Sequence, residues 1–176
     1  LNYYIMGVKK KIKSFFNMSS SKKKILIPRN LDEATWDNTS PFVPKVTYGR
    51  VIKCYDVDTC TIVSKPYENE PVFRFSLRLS GIDGPEIRSK DPGEKQAANM
   101  AKMLLTDKIL DKYVLLTNVS SDKYGRLLCK IWLDGVCIND WLLEKKVVVP
   151  YDGGTKKCPD DWLAYIVKFC PDFIEG

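Results

Sequence analysis

Residues 51–63, VIKCYDVDTCTIV, carry the reading of the fold. The stretch has the apolar, β-branched texture of two strands, yet Asp56 and Asp58 stand in its middle. Val57 between them has no room for more than a tight turn, so the expectation is two strands joined across Asp56-Val57-Asp58. A surface turn alone would account for two carboxylates there. What else the chain can bring to them decides whether they do chemistry.

Outward from that hairpin the pattern continues. PVFRFSLRLS, residues 71–80, alternates, with Phe73, Phe75, Leu77 and Leu79 on one face and Arg74, Ser76 and Arg78 on the other. Gly81 and Pro85 end that strand. GEKQAANMAKMLLT, residues 93–106, places Ala97, Ala98, Ala101, Leu104 and Leu105 at helical spacing. KYVLLTNV (112–119) and RLLCKIWL (126–133) read as two more strands. VCINDWLLEKK (136–146) and DDWLAYIVKFC (160–170) read as helices. Three strands, a helix, two strands and then helices predict an α+β fold: a five-stranded OB-type barrel with about three helices packed outside it.

Charge divides the chain of 176 residues. Residues 1–24 hold seven lysines and no acid, while the remainder is close to neutral despite the overall +6. Residues 1–44 are therefore expected to be a basic, flexible tail and linker, and residues 45–176 the folded domain. The tail lysines suit nonspecific contact with nucleic-acid phosphate. With Ile12, Phe15 and Phe16 among them they also suit an anionic membrane surface. The opening residues lack the apolar centre of a signal peptide, and no apolar run is long enough to span a bilayer. The expectation is an intracellular, cytoplasmic monomer, with peripheral membrane contact through the tail as an option.

The chain has no histidine, which excludes histidine-based triads and histidine general bases. Its six cysteines, at 54, 60, 129, 137, 158 and 170, form no CxxC pair, so zinc-site spacing is absent and reduced, mostly buried thiols are expected. Catalysis would rest on carboxylates, basic residues, tyrosine, cysteine or a metal. Asp58, Asp83 and Glu86 together with Arg78 and Arg126 are a set suited to phosphodiester hydrolysis. Carboxylates and backbone carbonyls suit a hard cation, and guanidinium groups bind phosphate in bidentate fashion.

From about Val46 to Phe169 the chain resembles the staphylococcal nuclease-like (thermonuclease) domain. The matching pieces are DVDT (56–59), LRLSGIDGPE (77–86), the alanine-rich helix, DKYGRLL (122–128) and DGVCINDWLLEKK (134–146), in that order. The resemblance implies an OB-fold barrel and Ca²⁺-dependent cleavage of DNA and RNA that leaves 3′-phosphate ends. By motif it implies that Asp58, Asp83 and the carbonyl of Gly84 hold calcium. Glu86 would activate or orient the attacking water, and Arg78 and Arg126 would bind the scissile phosphate. Lys123 and Tyr124 would contact a neighbouring nucleotide phosphate, Tyr151 is a candidate for base stacking, and Asp56 would support the turn. Two positions depart from the family pattern: Val57 stands where Gly is frequent, and Gly84 where Thr is frequent. The competing expectation is an OB-fold module that binds nucleic acid, or serves as a scaffold, without cutting.

Overall fold

The computed structural model describes residues 29–169. The basic tail, and with it the expected phosphate or membrane contact, lies outside the described residues, as does Cys170. The chain divides after Ser40 into two units. In the first, a 3-10 turn, Arg29–Leu31, leads into a short loop in which Asn38 and Thr35 exchange hydrogen bonds.

The second unit is built on a barrel. Strands β1 (Tyr48–Asp56), β2 (Thr59–Ser64) and β3 (Phe73–Leu79) form an antiparallel meander, and β5 (Tyr113–Ser121) and β6 (Leu127–Leu133) form a second hairpin. β1 pairs with β5, and parallel pairing of β3 with β6 closes the barrel. Closure leaves none of the five long strands with an unpaired edge. Short strands complete the sheets: β4 (Ile82–Asp83) pairs with β8 (Val149–Pro150), and β7 (Val136–Cys137) extends β6. The five-stranded barrel with helices outside it is the expected α+β architecture.

Alternation puts Val51, Ile62, Leu77, Leu79, Val114, Leu127, Cys129 and Ile131 inside the barrel. The expected apolar face of β3 holds only in part. Leu77 and Leu79 are in the core, but Phe73 is exposed and Phe75 half-buried, stacked edge to face on one another. The β2–β3 hairpin runs past the end of the barrel, so its first residues have no interior to enter.

Among the described residues three helices cover the barrel. α1 (Pro92–Ile109) is longer than its apolar spacing suggested at both ends. Asp91 caps it, its carboxylate accepting from the Gly93 and Glu94 amides, and Pro92 opens the first turn, where its missing N–H costs nothing. Its buried stripe of Ala97, Ala98, Ala101, Leu105 and Ile109 packs on β1. α2 (Ile138–Glu144) and α3 (Trp162–Phe169) are shorter. Asn139, at the start of α2, is buried yet fully used: it accepts from the Ile131 amide and donates to the carbonyls of Ser80 and Cys129. That amide pins the end of β3 to β6, next to the loop that carries the acidic residues. Among the described residues the five cysteines are free thiols; Cys54, Cys60, Cys129 and Cys137 are buried, and burial pushes Cys129 up to about 12.

Candidate active site

The turn after β1 and the loop after β3 meet over the outer face of the barrel. Asp58 follows the turn, and its carbonyl accepts from the Leu79 amide at 2.8 Å. Arg78 precedes Leu79 and faces outward, opposite Thr59 in the β2–β3 register. β4 then brings Asp83 back across it. Asp58 and Asp83 are both buried, and Arg78 spans them: one terminal nitrogen lies 2.6 Å from Asp58 Oδ2, the other 2.7 Å from Asp83 Oδ1. A planar fork suits that bridge; a single ammonium does not.

A cleft of about 350 Å³ opens above this bridge. Asp56, Asp58, Arg78, Asp83, Gly84, Glu86, Arg126 and Tyr151 line it. The structure thus gathers seven of the nine residues singled out by sequence, together with Asp56. Lys123 and Tyr124 are not in the cleft but in the adjoining groove, which also contains Arg78, Arg126 and Tyr151. Asp56 supports the turn, its carboxylate accepting from the Val57 amide at 2.9 Å.

Electrostatics in the cleft are strained by burial. Burial raises Asp58 above the ordinary carboxylate value, against the pull of Arg78 and of the Thr59 hydroxyl. Asp56 is pushed up to about 6, by burial first, with the Val57 amide opposing and the charges of Asp58 and Glu86 adding to the rise. Glu86 is different: its side chain is 62% exposed at the rim. Its backbone is nonetheless fixed, because the Glu86 amide donates to Glu94 in the first turn of α1.

Arg126 arrives from the β5–β6 hairpin. Asp122 organises that turn by accepting from the Tyr124 and Arg126 amides and from Arg126 Nε. Gly125 takes φ +80°, a left-handed conformation in which a side chain would be strained. Burial acts to raise the Asp122 carboxyl, but the Arg126 and Tyr124 hydrogen bonds outweigh it and hold the group below its usual value. Arg126 and Lys123 both lie over the Tyr124 ring, so the two cations and the ring form one surface.

Sequence reasoning missed Lys156. Its Nζ lies 2.8 Å from Asp83 Oδ2, 2.7 Å from the Gly84 carbonyl oxygen and 3.9 Å from Glu86 Oε1. Burial opposes its charge, but the hydrogen bond to Asp83 prevails and its pKa lies above the ordinary lysine value. No local signal separates Lys156 from Lys157 in GGTKKCPDD, since only contact with a loop far back in the chain distinguishes them.

The family model described as staphylococcal nuclease homologue matches residues 76–156. The chain is also 33% identical over 87 residues to the staphylococcal-like nuclease CAN1 of Arabidopsis thaliana, a match covering 48% of this chain and 25% of that protein. Over residues 76–156 the barrel domain is similar to staphylococcal nuclease homologues.

The family match runs from β3 to Lys156 and so takes in every singled-out residue except Asp58, which the β1–β2 turn supplies. The aligned stretch spans only about a quarter of its plant relative. The cleft also tests the fit of a cation. Its Asp58, Asp83 and Gly84 offer only hard oxygen donors, which suit Ca²⁺ or Mg²⁺. The Lys156 ammonium already stands as a cation on two of those three groups, at 2.7 and 2.8 Å. Among the described residues no three acidic or cysteine side chains form an ion-holding cluster by themselves.

Proposed function

We propose that this domain is a metal-dependent nuclease that hydrolyses phosphodiester bonds of DNA and RNA and leaves 3′-phosphate ends. The observation that carries the reading is the convergence of Asp58, Asp83, Glu86, Arg78 and Arg126 on one cleft. Asp58, Asp83 and the Gly84 carbonyl are the groups that would hold the cation, calcium in this reading, which when bound polarises a phosphoryl oxygen.

The chain's own residues supply the rest. Arg126, on a hairpin rigidified by Asp122, offers guanidinium donors to the phosphate as charge builds on it. Arg78 contributes positive charge from beneath while bridging the two aspartates. Glu86, exposed at the rim, receives the proton of an attacking water in this reading. The new bond joins the water oxygen to phosphorus, and the bond to the 5′-oxygen breaks. The phosphate stays on the 3′-oxygen, and the leaving oxygen takes a proton from solvent. Lys123 and Tyr124 in the adjoining groove then hold the next phosphate along the strand, and Tyr151 lies where a base could stack. The lysines of residues 1–24 would add nonspecific affinity for long strands.

The deciding assay incubates the full chain with single-stranded DNA, RNA and supercoiled plasmid in calcium, in magnesium and in chelator. Cleavage with calcium that stops on chelation, with 3′-phosphate ends, is the expected result. Cleavage indifferent to chelator would remove the cation from the reading. Binding without cleavage under every condition would leave a non-catalytic OB-fold module.

A further inference from the structure

Lys156 lies on the irregular segment between β8 and α3, residues 151–161. It reaches 72 positions back in sequence to the Gly84 carbonyl. An ammonium is a compact point charge with three donors. Here it stands at hydrogen-bond distance from Asp83 Oδ2 and the Gly84 carbonyl, on the side of the cleft proposed for the cation, with Glu86 Oε1 further off at 3.9 Å. The opposite oxygen of Asp83 and the nearer one of Asp58 belong to Arg78. The two buried aspartates are thus matched by two basic side chains of the same chain.

The two bonds differ in what they can give up. Arg78 is rooted in β3, and its side chain is only 12% exposed. Lys156 has a 25% exposed side chain on an irregular segment held by the Tyr151 amide on Gly81, the Gly154 amide on Asp152, the bonds of Asp161 to α3 and the lysine itself. In the same position its Nζ stands 5.9 Å from the centre of the Trp162 ring at the start of α3. A hard cation needs oxygens at roughly 2.3–2.6 Å. It cannot share Asp83 Oδ2 and the Gly84 carbonyl with an ammonium already at hydrogen-bond distance from both.

We propose that Lys156 is a tethered counter-ion of the cation site, which holds Asp83 and Gly84 until it is displaced and thereby weakens cation binding. The proposal rests on the cation reading given above and deepens it. Lys156 stabilises the acidic pair without a metal, sets how much divalent cation the site requires, and couples loading of the site to release of residues 151–161. The group it competes with is a divalent, oxygen-seeking cation. A monovalent ion would gain too little from one carboxylate and one carbonyl to expel it.

The test is calorimetric titration of calcium chloride into the full chain and into Lys156→Met and Lys156→Gln, with circular dichroism to check folding. Both variants are expected to bind calcium about tenfold or more tightly than the parent, because an opposing charge within contact distance has been removed. A second measurement needs no variant. Acetylation of Lys156 by acetic anhydride, followed by peptide mass spectrometry, should rise several-fold when calcium is added. Equal affinity in all three proteins with unchanged labelling would overturn the counter-ion role and leave the cation reading intact. Weaker binding in the variants would also overturn it, by making Lys156 a support of the site. No binding of calcium, magnesium or manganese to any of the three would overturn both.

Discussion

The side chain of Val57 fills the space in which a Cβ on residue 84 would stand. A methyl group built on Gly84 collides with Val57 Cγ1 and lies 3.5 Å from Val148 Cγ1. Both residues are buried, one in the turn that presents Asp58, the other in the loop that presents Asp83. A larger residue at 57 requires the smallest residue at 84, and the backbone carbonyl that faces the cleft is kept.

That relationship predicts strong coupling. Gly84→Thr should cost roughly 1–3 kcal/mol through overpacking. Val57→Gly should also destabilise, by loss of buried surface and by added backbone freedom. In the double variant the losses should fall short of their sum by about 1 kcal/mol or more. Urea denaturation of the four proteins measures the cycle, and simple additivity would show that the two side chains do not share the space.

Arg78 has a structural part beside the chemical one proposed for it. Arg78→Met leaves Asp58 and Asp83 facing each other, buried, with one bridging cation gone. Breaking a buried pair in this way costs about 3–5 kcal/mol. Arg78→Lys should restore only part of that, since one ammonium cannot span both carboxylates as the fork does. A melting temperature for Arg78→Met equal to that of the parent would contradict the bridge.

Glu86 and Arg126 should separate catalysis from stability. The Glu86 side chain is 62% exposed, so Glu86→Gln should melt with the parent while kcat falls by about two orders of magnitude. Arg126→Ala should lose a comparable factor. Its turn should survive, because the Asp122 carboxylate still accepts from two backbone amides. Initial-rate measurements on a short oligonucleotide, with thermal melts of the same samples, check both. Undiminished kcat in either variant would remove that residue from the proposed chemistry.

Asp122 predicts an acid limb. Its folded pKa lies below the ordinary carboxylate value, so the unfolded chain holds the proton more readily. The stability it contributes is fully present above the ordinary value of about 4 and is lost as pH falls through the lower, folded one. Asp122→Asn should be less stable at neutral pH and show a shallower decline below pH 4. Melting temperature followed from pH 7 to pH 2 gives the comparison; parallel curves would mean that the hairpin does not depend on this charge.

Much of this molecule is written in local pattern. The alternation in RLLCKIWL gives β6 its buried and half-buried faces, and the spacing of Ala97, Ala101 and Leu105 gives α1 its packed stripe. Such periods report which side of an element is apolar, and a closed barrel has one interior to receive those sides. Asp58, Asp83, Glu86, Arg78 and Arg126 could be singled out in the sequence because their motifs follow one another in the order of the family that the chain resembles; each motif taken alone reads as a surface turn or strand end.

What the tertiary structure decided are the meetings between distant segments. Alternation in β3 could not say that Phe73 and Phe75 run beyond the barrel while Leu77 and Leu79 enter it, since the period is the same on both sides of the rim. Nothing near Val57 announces Gly84, because steric exclusion acts only between atoms that the fold brings into contact. Lys156 is the extreme case. A lysine in a polar loop has the same local signature whether it points into water or onto Asp83. Its long, flexible stem and unscreened charge respond to the buried carboxylate it meets, and that encounter exists only once β4, β8 and the segment after β8 have been packed over the barrel.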